Sequence, residues 1–401
     1  MALMPVEEAR ARILNGAKPL PRESMALHHC AGRVLAADVK ARRDQPPFAA
    51  SAMDGYAVRY ADVDKAPAKL TVIGIAPAGH GYNGTVGPGQ AVRIFTGAPV
   101  PRGADTVIIQ ENTEAAGSEV RIGVAAQRPG QHIRRRGLDF AKGQSLLRQG
   151  TLLGAREIGL AAAMNWPALP VTRRPKVAIF ATGDELVAPG TTPRPDQIVS
   201  SNSFALSAFV RRYGGEAVDL GIIPDKLGAT TRAIRKVPDA DILLTTGGAS
   251  VGDHDLVQAA LEEAGIKLDF WKIAIRPGKP LMFARDGKRR ILGLPGNPVS
   301  ALVCARIFLK PLIFTLLGLP AGNDVVQGRL GSALPANDVR QDYMRADVTR
   351  NADGTLIAIP FQIQDSSMQR TLTEAHCLIV RPPHAPEARE GDPVDLILMD
   401  F

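Results

Sequence analysis

The residues most able to do chemistry cluster in Thr245-Thr246-Gly247-Gly248-Ala249-Ser250-Val251-Gly252-Asp253-His254-Asp255, where an apolar run feeds a Gly-rich turn that ends in acids. Backbone N–H groups in such a turn cradle oxyanions, and carboxylates at the same strand end hold a cation, so the pattern suits a phosphorylated ligand with a divalent metal. Ile275-Arg276-Pro277-Gly278-Lys279-Pro280 and Gly293-Leu294-Pro295-Gly296-Asn297-Pro298 follow within one domain's length. Further acids stand at Thr182-Gly183-Asp184-Glu185 and Pro224-Asp225-Lys226. Asp184, Glu185, Asp225 and Asp255 offer the hard oxygen ligands that Mg²⁺ prefers. Lys272, Arg276 and Lys279 offer the positive charge that an anhydride or oxyanion requires. A single Asp at a strand–helix turn also serves as an N-cap, and Asp253 and Asp255 compete for that role. Four polar strand ends in one domain favour a ligand site.

The elements that must position these residues are legible as a rhythm. From Lys176 to Leu317 strand-like runs (Val177 to Ala181, Ala217 to Ile223, Ile242 to Thr246) alternate with helical ones (Ser203 to Tyr213, Thr230 to Arg235, Asp255 to Ala264). Gly214 and Gly265 are placed as helix C-caps. This predicts βαβ units on a doubly wound, mostly parallel α/β sheet, with ligands outside the carboxyl ends of its strands. Asn297-Pro298 opens a long apolar helix to about Leu317. Val6 to Asn15 reads as a short helix, Ser24 to Val39 as a second helix or helix–strand element, and Gly154 to Met164 as a strong helical segment. Short β-like runs punctuated by Gly and Pro fill the stretch between Arg42 and Gly137. The expected division is a discontinuous, mainly helical domain (1–41 and 138–172), an inserted β-rich domain (42–137), an α/β domain (173–322) and a small C-terminal β-barrel-like domain (323–401).

Composition bounds the partners. The chain has 401 residues, 45% hydrophobic and 22% charged, enough for several cores, and its net charge of +8 favours anionic ligands. With 5% aromatic residues and no recognition helix or stacking platform, nucleic acid is not expected. Cys30, Cys304 and Cys377 are too few and too scattered for a disulfide framework, which points to a reducing cytoplasm. Glu7 and Glu8 interrupt the first segment, and Lys310 and Pro311 interrupt the apolar run near Ile307, so neither a signal peptide nor a membrane span is expected. His28-His29-Cys30 lacks further ligands nearby, and Gly-x-Ser-x-Gly is absent.

Several motifs then resemble one family in order along the whole chain. They are Ser51-Ala52-Met53-Asp54-Gly55-Tyr56-Ala57, Thr96-Gly97-Ala98-Pro99-Val100-Pro101, Ile133-Arg134-Arg135-Arg136-Gly137, Thr182-Gly183-Asp184-Glu185-Leu186, the 247–255 loop, Pro277-Gly278-Lys279-Pro280 and Leu294-Pro295-Gly296-Asn297-Pro298-Val299-Ser300. The chain is similar to the molybdenum insertases called MoeA, related to the C-terminal domain of gephyrin. Arg276 stands where Lys is common in that family. The resemblance implies a homodimer that takes adenylylated molybdopterin and molybdate, releases AMP with Mg²⁺ assisting, and leaves molybdenum on the dithiolene. It implies roles in the reaction for Asp184, Glu185, Asp225, Asp255, Asp54 and Asp139, with Glu185, Asp225 and Asp255 holding the metal. It implies substrate contacts from Thr96, Arg134, Gly247, Gly248, Ser250, Lys272, Arg276, Lys279, Pro295, Pro298, Arg345 and Ser366, with Asp54, Thr96, Arg134 and Asp139 acting across a dimer interface. Transient contact with the molybdopterin adenylyltransferase and downstream cofactor-handling proteins would follow. The alternatives are that adenylyltransferase itself, whose single-domain form has nothing like residues 1–170, and a non-catalytic molybdopterin-binding scaffold.

Overall fold

The computed structural model describes residues 3–237, 239–247, 256–322 and 324–401. The chain separates into two compact units. One comprises Met1–Glu23, Gly32–Ala36 and Val171–Phe401, the other Ser24–Ala31 and Ala37–Pro170.

The first unit is built on a six-stranded sheet in the order Glu216–Ile223, Lys176–Thr182, Ile242–Thr246, Arg289–Leu294, Met282–Asp286, Leu268–Trp271. The first four strands run parallel and the last two antiparallel. Period-two alternation explains why both faces are covered. Val177 and Ile179 join one buried cluster with Ile242, Leu244 and Leu292, while Ala178 and Phe180 join another with Leu243 and Ile291. Helices Asn202–Arg212 and Val6–Leu14 contribute Leu206, Phe209, Val6, Ala9 and Ile13 to the first cluster; Leu227–Lys236 and Leu256–Glu263 contribute Ile234, Val257 and Leu261 to the second. The expected mostly parallel α/β domain is present. Gly214 and Gly265 both take the positive φ of a C-cap, +89° and +78°.

The apolar helix from Pro298 is one continuous rod of three pieces, α-helical Pro298–Cys304, π-helical Ala305–Leu309 and α-helical Lys310–Leu317, closed by Gly318 at φ +82°. Pro311 accounts for the widened turn, because it has no N–H for an i→i−4 bond and its ring crowds the carbonyl a turn earlier. By length and composition the rod could cross a membrane, but most of it is buried in the fold. It carries Arg306 and Lys310 as buried side chains whose charged ends reach the exposed acids Asp324 and Asp400.

The C-terminal part closes into a five-stranded barrel. Gln341–Arg350 pairs with Leu356–Pro360, that strand with Val325–Leu330, that with Pro393–Leu398, and that with Cys377–Arg381, which returns to Gln341–Arg350. Ile275–Arg276 adds in parallel alongside Gln341 and Asp342, fastening the 275–280 loop to the barrel.

The second unit contains a six-stranded sheet ordered Thr106–Ile109, Gly55–Val58, Gln90–Ile94, Ala68–Ala76, Glu119–Ile122, Thr113–Ala116. Tyr56, Val58, Leu70, Ile108, Val120 and Ile122 fill one side of its core. Helix Ala155–Ala163 starts where Glu157 accepts the Gly154 N–H at 2.9 Å. The segment Ser24–Val39, expected as a second helix or a helix–strand element, contains no α-helix. Strand Arg22–Ala26, the single turn Leu27–His29 and the strand Val39–Lys40 stand there, with Gly32 at φ +70° breaking any helical path between them.

Candidate functional site

Three parallel strands of the first unit deliver their ends to one edge. Lys176–Thr182 presents Asp184 and Glu185, Glu216–Ile223 presents Asp225, and Ile242–Thr246 presents Gly247. Asp184 and Asp225 face each other reciprocally. The Asp184 N–H donates to Asp225 Oδ2 at 3.3 Å and the Asp225 N–H to Asp184 Oδ1 at 3.1 Å. Asp225 Oδ1 is buried with no hydrogen-bond partner among the described residues. Burial, together with the negative charge of Asp184 and Glu185, holds the Asp225 carboxyl above the ordinary carboxylate range. An orphaned buried carboxylate oxygen beside two other acids fits a cation. Among the described residues no three His, Cys, Asp or Glu side chains group as a metal cage. Asp255, Gly248 and Ser250, expected at this site, lie outside the described residues.

Two clefts adjoin at the strand ends. One of about 340 Å³ is lined by Thr182, Glu185, Asn202, Thr246, Pro298 and Ser367; the other, about 650 Å³, by Arg276, Lys279, Pro295, Ser300, Arg340 and Ser366. Gly247, Gly296 and Asn297 belong to both, and Glu185 also reaches both. Glycine is required at 247, where φ is +85° and a Cβ would stand 2.2 Å from the Thr182 carbonyl oxygen. Asn297 Nδ2 donates to Ser366 Oγ at 2.6 Å, and the Val299 N–H donates to the Ser366 carbonyl at 3.1 Å, so the barrel is tied to the start of the long helix. The structure thus brings Glu185, Gly247, Arg276, Lys279, Pro295, Pro298 and Ser366 to one place.

Three of the expected anion contacts have protein partners in this structure. The Arg276 guanidinium lines the larger cleft, yet it binds Asp342, lies 3.2 Å from Asp338 and donates to Asn337 Oδ1 at 3.0 Å, so its charge is offset by barrel carboxylates. Arg345 is fully buried on the outer face of the barrel, opposite Met344 and Ala346, and donates to Gln364 Oε1, the Met368 carbonyl and the Ile363 carbonyl of the segment that covers it, where burial lowers its pKa. Lys272 lines neither cleft, and its ammonium stacks 3.8 Å over the Trp271 ring. Lys279 remains as a cleft cation that forms no ion pair among the described residues. Sequence reading missed Arg340, which donates to both carboxylate oxygens of Asp338 and holds that acid down at about 2. It also missed Asn202, although an Asn at a helix start after a strand was a visible signal.

In the second unit, Asp54 Oδ1 accepts from the Thr96 N–H at 2.7 Å and from the Thr96 hydroxyl at 2.8 Å, and these bonds hold the acid below its ordinary range. Gly55 is forced beside it, since a Cβ there would stand 1.9 Å from the Ile108 carbonyl oxygen. Arg134 is exposed on the strand Ile133–Arg134, paired antiparallel with Ala50–Ser51. The basic run finds its acid in Asp44, which accepts from Arg136 Nε at 2.6 Å, and nearby the Asp139 N–H donates to the Gln45 carbonyl at 2.9 Å.

Comparisons with known proteins agree along the chain. Residues 4–165 match the MoeA N-terminal region (domain I and II), residues 178–315 a probable molybdopterin binding domain, and residues 327–399 the MoeA C-terminal region (domain IV). The molybdopterin molybdenumtransferase of Haemophilus influenzae is 33% identical over 98% of this chain and 98% of its own. That of a Nostoc species is 42% identical over 78% of this chain and 74% of its own. The crystal structure of a MoeA molybdopterin biosynthesis protein from Pyrococcus horikosii superposes with a TM-score of 0.86 at 30% identity, covering 99% of both chains.

Proposed function

From the premise that the chain belongs to the MoeA family, we propose that it performs the step of molybdenum cofactor biosynthesis its relatives are named for, the transfer of molybdenum to molybdopterin. The substrates would be molybdate and adenylylated molybdopterin, with AMP released. The observation that carries this reading is the pair of clefts sharing the Glu185, Gly247, Gly296, Asn297 wall. Such a wall can hold an organic phosphate ligand and a small oxyanion side by side, and proximity of that kind is what a two-substrate transfer needs. Matches over both the N-terminal and C-terminal regions favour the transferase over a single-domain adenylyltransferase.

Lys279 supplies the positive charge that holds an anionic oxygen in the larger cleft. Ser300 and Ser366 add polar groups to its wall. Asp225, with its raised pKa and orphaned oxygen, together with Glu185 and Asp255 would hold Mg²⁺. When bound, the ion would neutralise charge on the anhydride oxygens. Asp184 fixes the Asp225 backbone and carboxylate through their reciprocal bonds. Asp54, Thr96, Arg134 and Asp139 are proposed to act in the same reaction, and the homodimer, the contacts with the adenylyltransferase and later cofactor-handling proteins, and a cytoplasmic location belong to this reading. The expected four-domain boundaries are proposed with it.

The test is AMP release by purified protein given adenylylated molybdopterin and Mg²⁺, with and without molybdate. Release that requires molybdate supports the transferase. Binding without release would replace it with a carrier, and formation of the adduct from ATP and molybdopterin would replace it with the adenylyltransferase.

A further inference from the structure

The ridge between the two clefts is held by one side chain, that of Asn202. It is the first residue of helix Asn202–Arg212 and reaches beneath the ridge. Its Nδ2 donates one N–H to Thr246 Oγ1 at 2.8 Å and the other to the Gly296 carbonyl at 2.6 Å. The Gly296 carbonyl can only accept, so the amide must face it with its nitrogen, and both N–H groups are committed. Thr246 precedes Gly247, and Gly296 lies against Gly247 closely enough that a Cβ at 296 would stand 3.6 Å from the Gly247 Cα. The two backbones that form the ridge thus run close to each other, and Asn202 joins the strand end on one side to the loop on the other.

We propose that Asn202 is a positioning residue for the transfer reaction, and that its amide sets the distance between the organic ligand in the smaller cleft and the oxyanion in the larger one. The proposal rests on the transferase reading. Each cleft has its own lining apart from the ridge, with Thr182 and Ser367 on one side and Lys279 and Ser300 on the other. Asn202 itself lines the smaller cleft, but loosening the ridge leaves these other contacts in place and changes the substrates' mutual approach, so KM for the organic substrate should also stay within about threefold. A displacement near 1 Å between reacting groups costs about a hundredfold in rate. Asn297, bonded to Ser366, anchors the far side of the same loop, so freedom gained by losing the Asn202 bonds is concentrated at Gly296 and Gly247.

The experiment measures molybdate-dependent AMP release by the full chain as wild type, Asn202→Ala and Asn202→Asp, with urea unfolding of each. Asn202→Ala is expected to lower kcat about ten- to hundredfold while KM for molybdate stays within about threefold. Asn202→Asp keeps the shape and loses both donors, so it must fall with the Ala variant; a wild-type rate in the Asp variant overturns the proposal. So does a wild-type kcat in Asn202→Ala, which leaves the transferase reading intact. If Asn202→Ala does not fold, Thr246→Val, which removes one acceptor, must lower kcat several-fold, and an unchanged kcat overturns the proposal. A wild type whose AMP release ignores molybdate refutes the transferase reading and this inference with it.

Discussion

Replacing Gly247 by Ala tests the geometry of the ridge with a single methyl group. At φ +85° an L-residue costs about 1–2 kcal/mol before any contact is considered. The added Cβ would also start 2.2 Å from the Thr182 carbonyl oxygen, and to reach even 3.0 Å one of the two backbones must retreat by about 0.8 Å. Either movement shifts a cleft wall, because Thr182 lines the smaller cleft and Gly247 lines both. A shift of that size converts to a fall of about a hundredfold in kcat for AMP release. Gly287→Ala serves as the control. Gly287 also has a positive φ, +58°, but it sits at the opposite end of strand Arg289–Leu294, where an added Cβ would meet nothing within 4 Å. It should lose about 1 kcal/mol in urea unfolding and keep its kcat. A Gly247→Ala enzyme with wild-type kcat would refute the reasoning that the 247 backbone sets the cleft.

Asp225→Asn should abolish the gain in unfolding midpoint that Mg²⁺ gives the wild type, and an undiminished gain would remove Asp225 from the cation site. Because burial raises the folded pKa of Asp225, its contribution is intact below the ordinary carboxylate range and is lost as pH rises through the folded value. Without divalent cation, Asp225→Asn should therefore gain stability relative to wild type between acid and neutral pH; urea unfolding at several pH values would show a flat difference if this is wrong. Arg345→Ala removes bonds to Gln364 and two carbonyls of the segment covering the barrel's outer face and should cost about 3 kcal/mol in urea unfolding. A raised KM with unchanged stability would point to the substrate instead. Lys310→Ala removes a buried ammonium from the exposed carboxylates of Asp324 and Asp400, which water can then solvate, and should cost about 1 kcal/mol in urea unfolding; a cost above about 3 kcal/mol, the size for a charge left buried and unpaired, would contradict this.

What was legible in the sequence was periodic or local. The unbroken apolar runs Val177 to Ala181 and Ile242 to Leu244 revealed buried parallel strands, because both faces of such strands are apolar. Gly247 and the Pro295-Gly296-Asn297-Pro298 turn announced the cleft loops, since glycine and proline carry backbone geometry in their identity. What was not legible depends on pairs distant in the chain. Arg276 reads as an anion binder until Asp338 and Asp342, more than sixty residues later, are brought beside it by the added strand. Arg345 reads as exposed because Arg seldom enters a core; its burial follows from the segment carrying Gln364, which folds over the barrel's outer face. Pro311 was visible, but its consequence, a π turn that keeps the helix continuous, came from packing on both sides. The Ser24–Val39 segment lacked a strong helical period, and its strand character is set by neighbours elsewhere in the chain.

The most direct test of the central claim is the ratio of molybdenum bound to the pterin product against AMP released, measured on the same reaction by metal analysis and chromatography. Transfer coupled to anhydride cleavage requires about one molybdenum per AMP, and that ratio should hold as molybdate is varied. AMP released in full with no molybdenum on the product would mean that the protein only hydrolyses the adduct, and the account would fail.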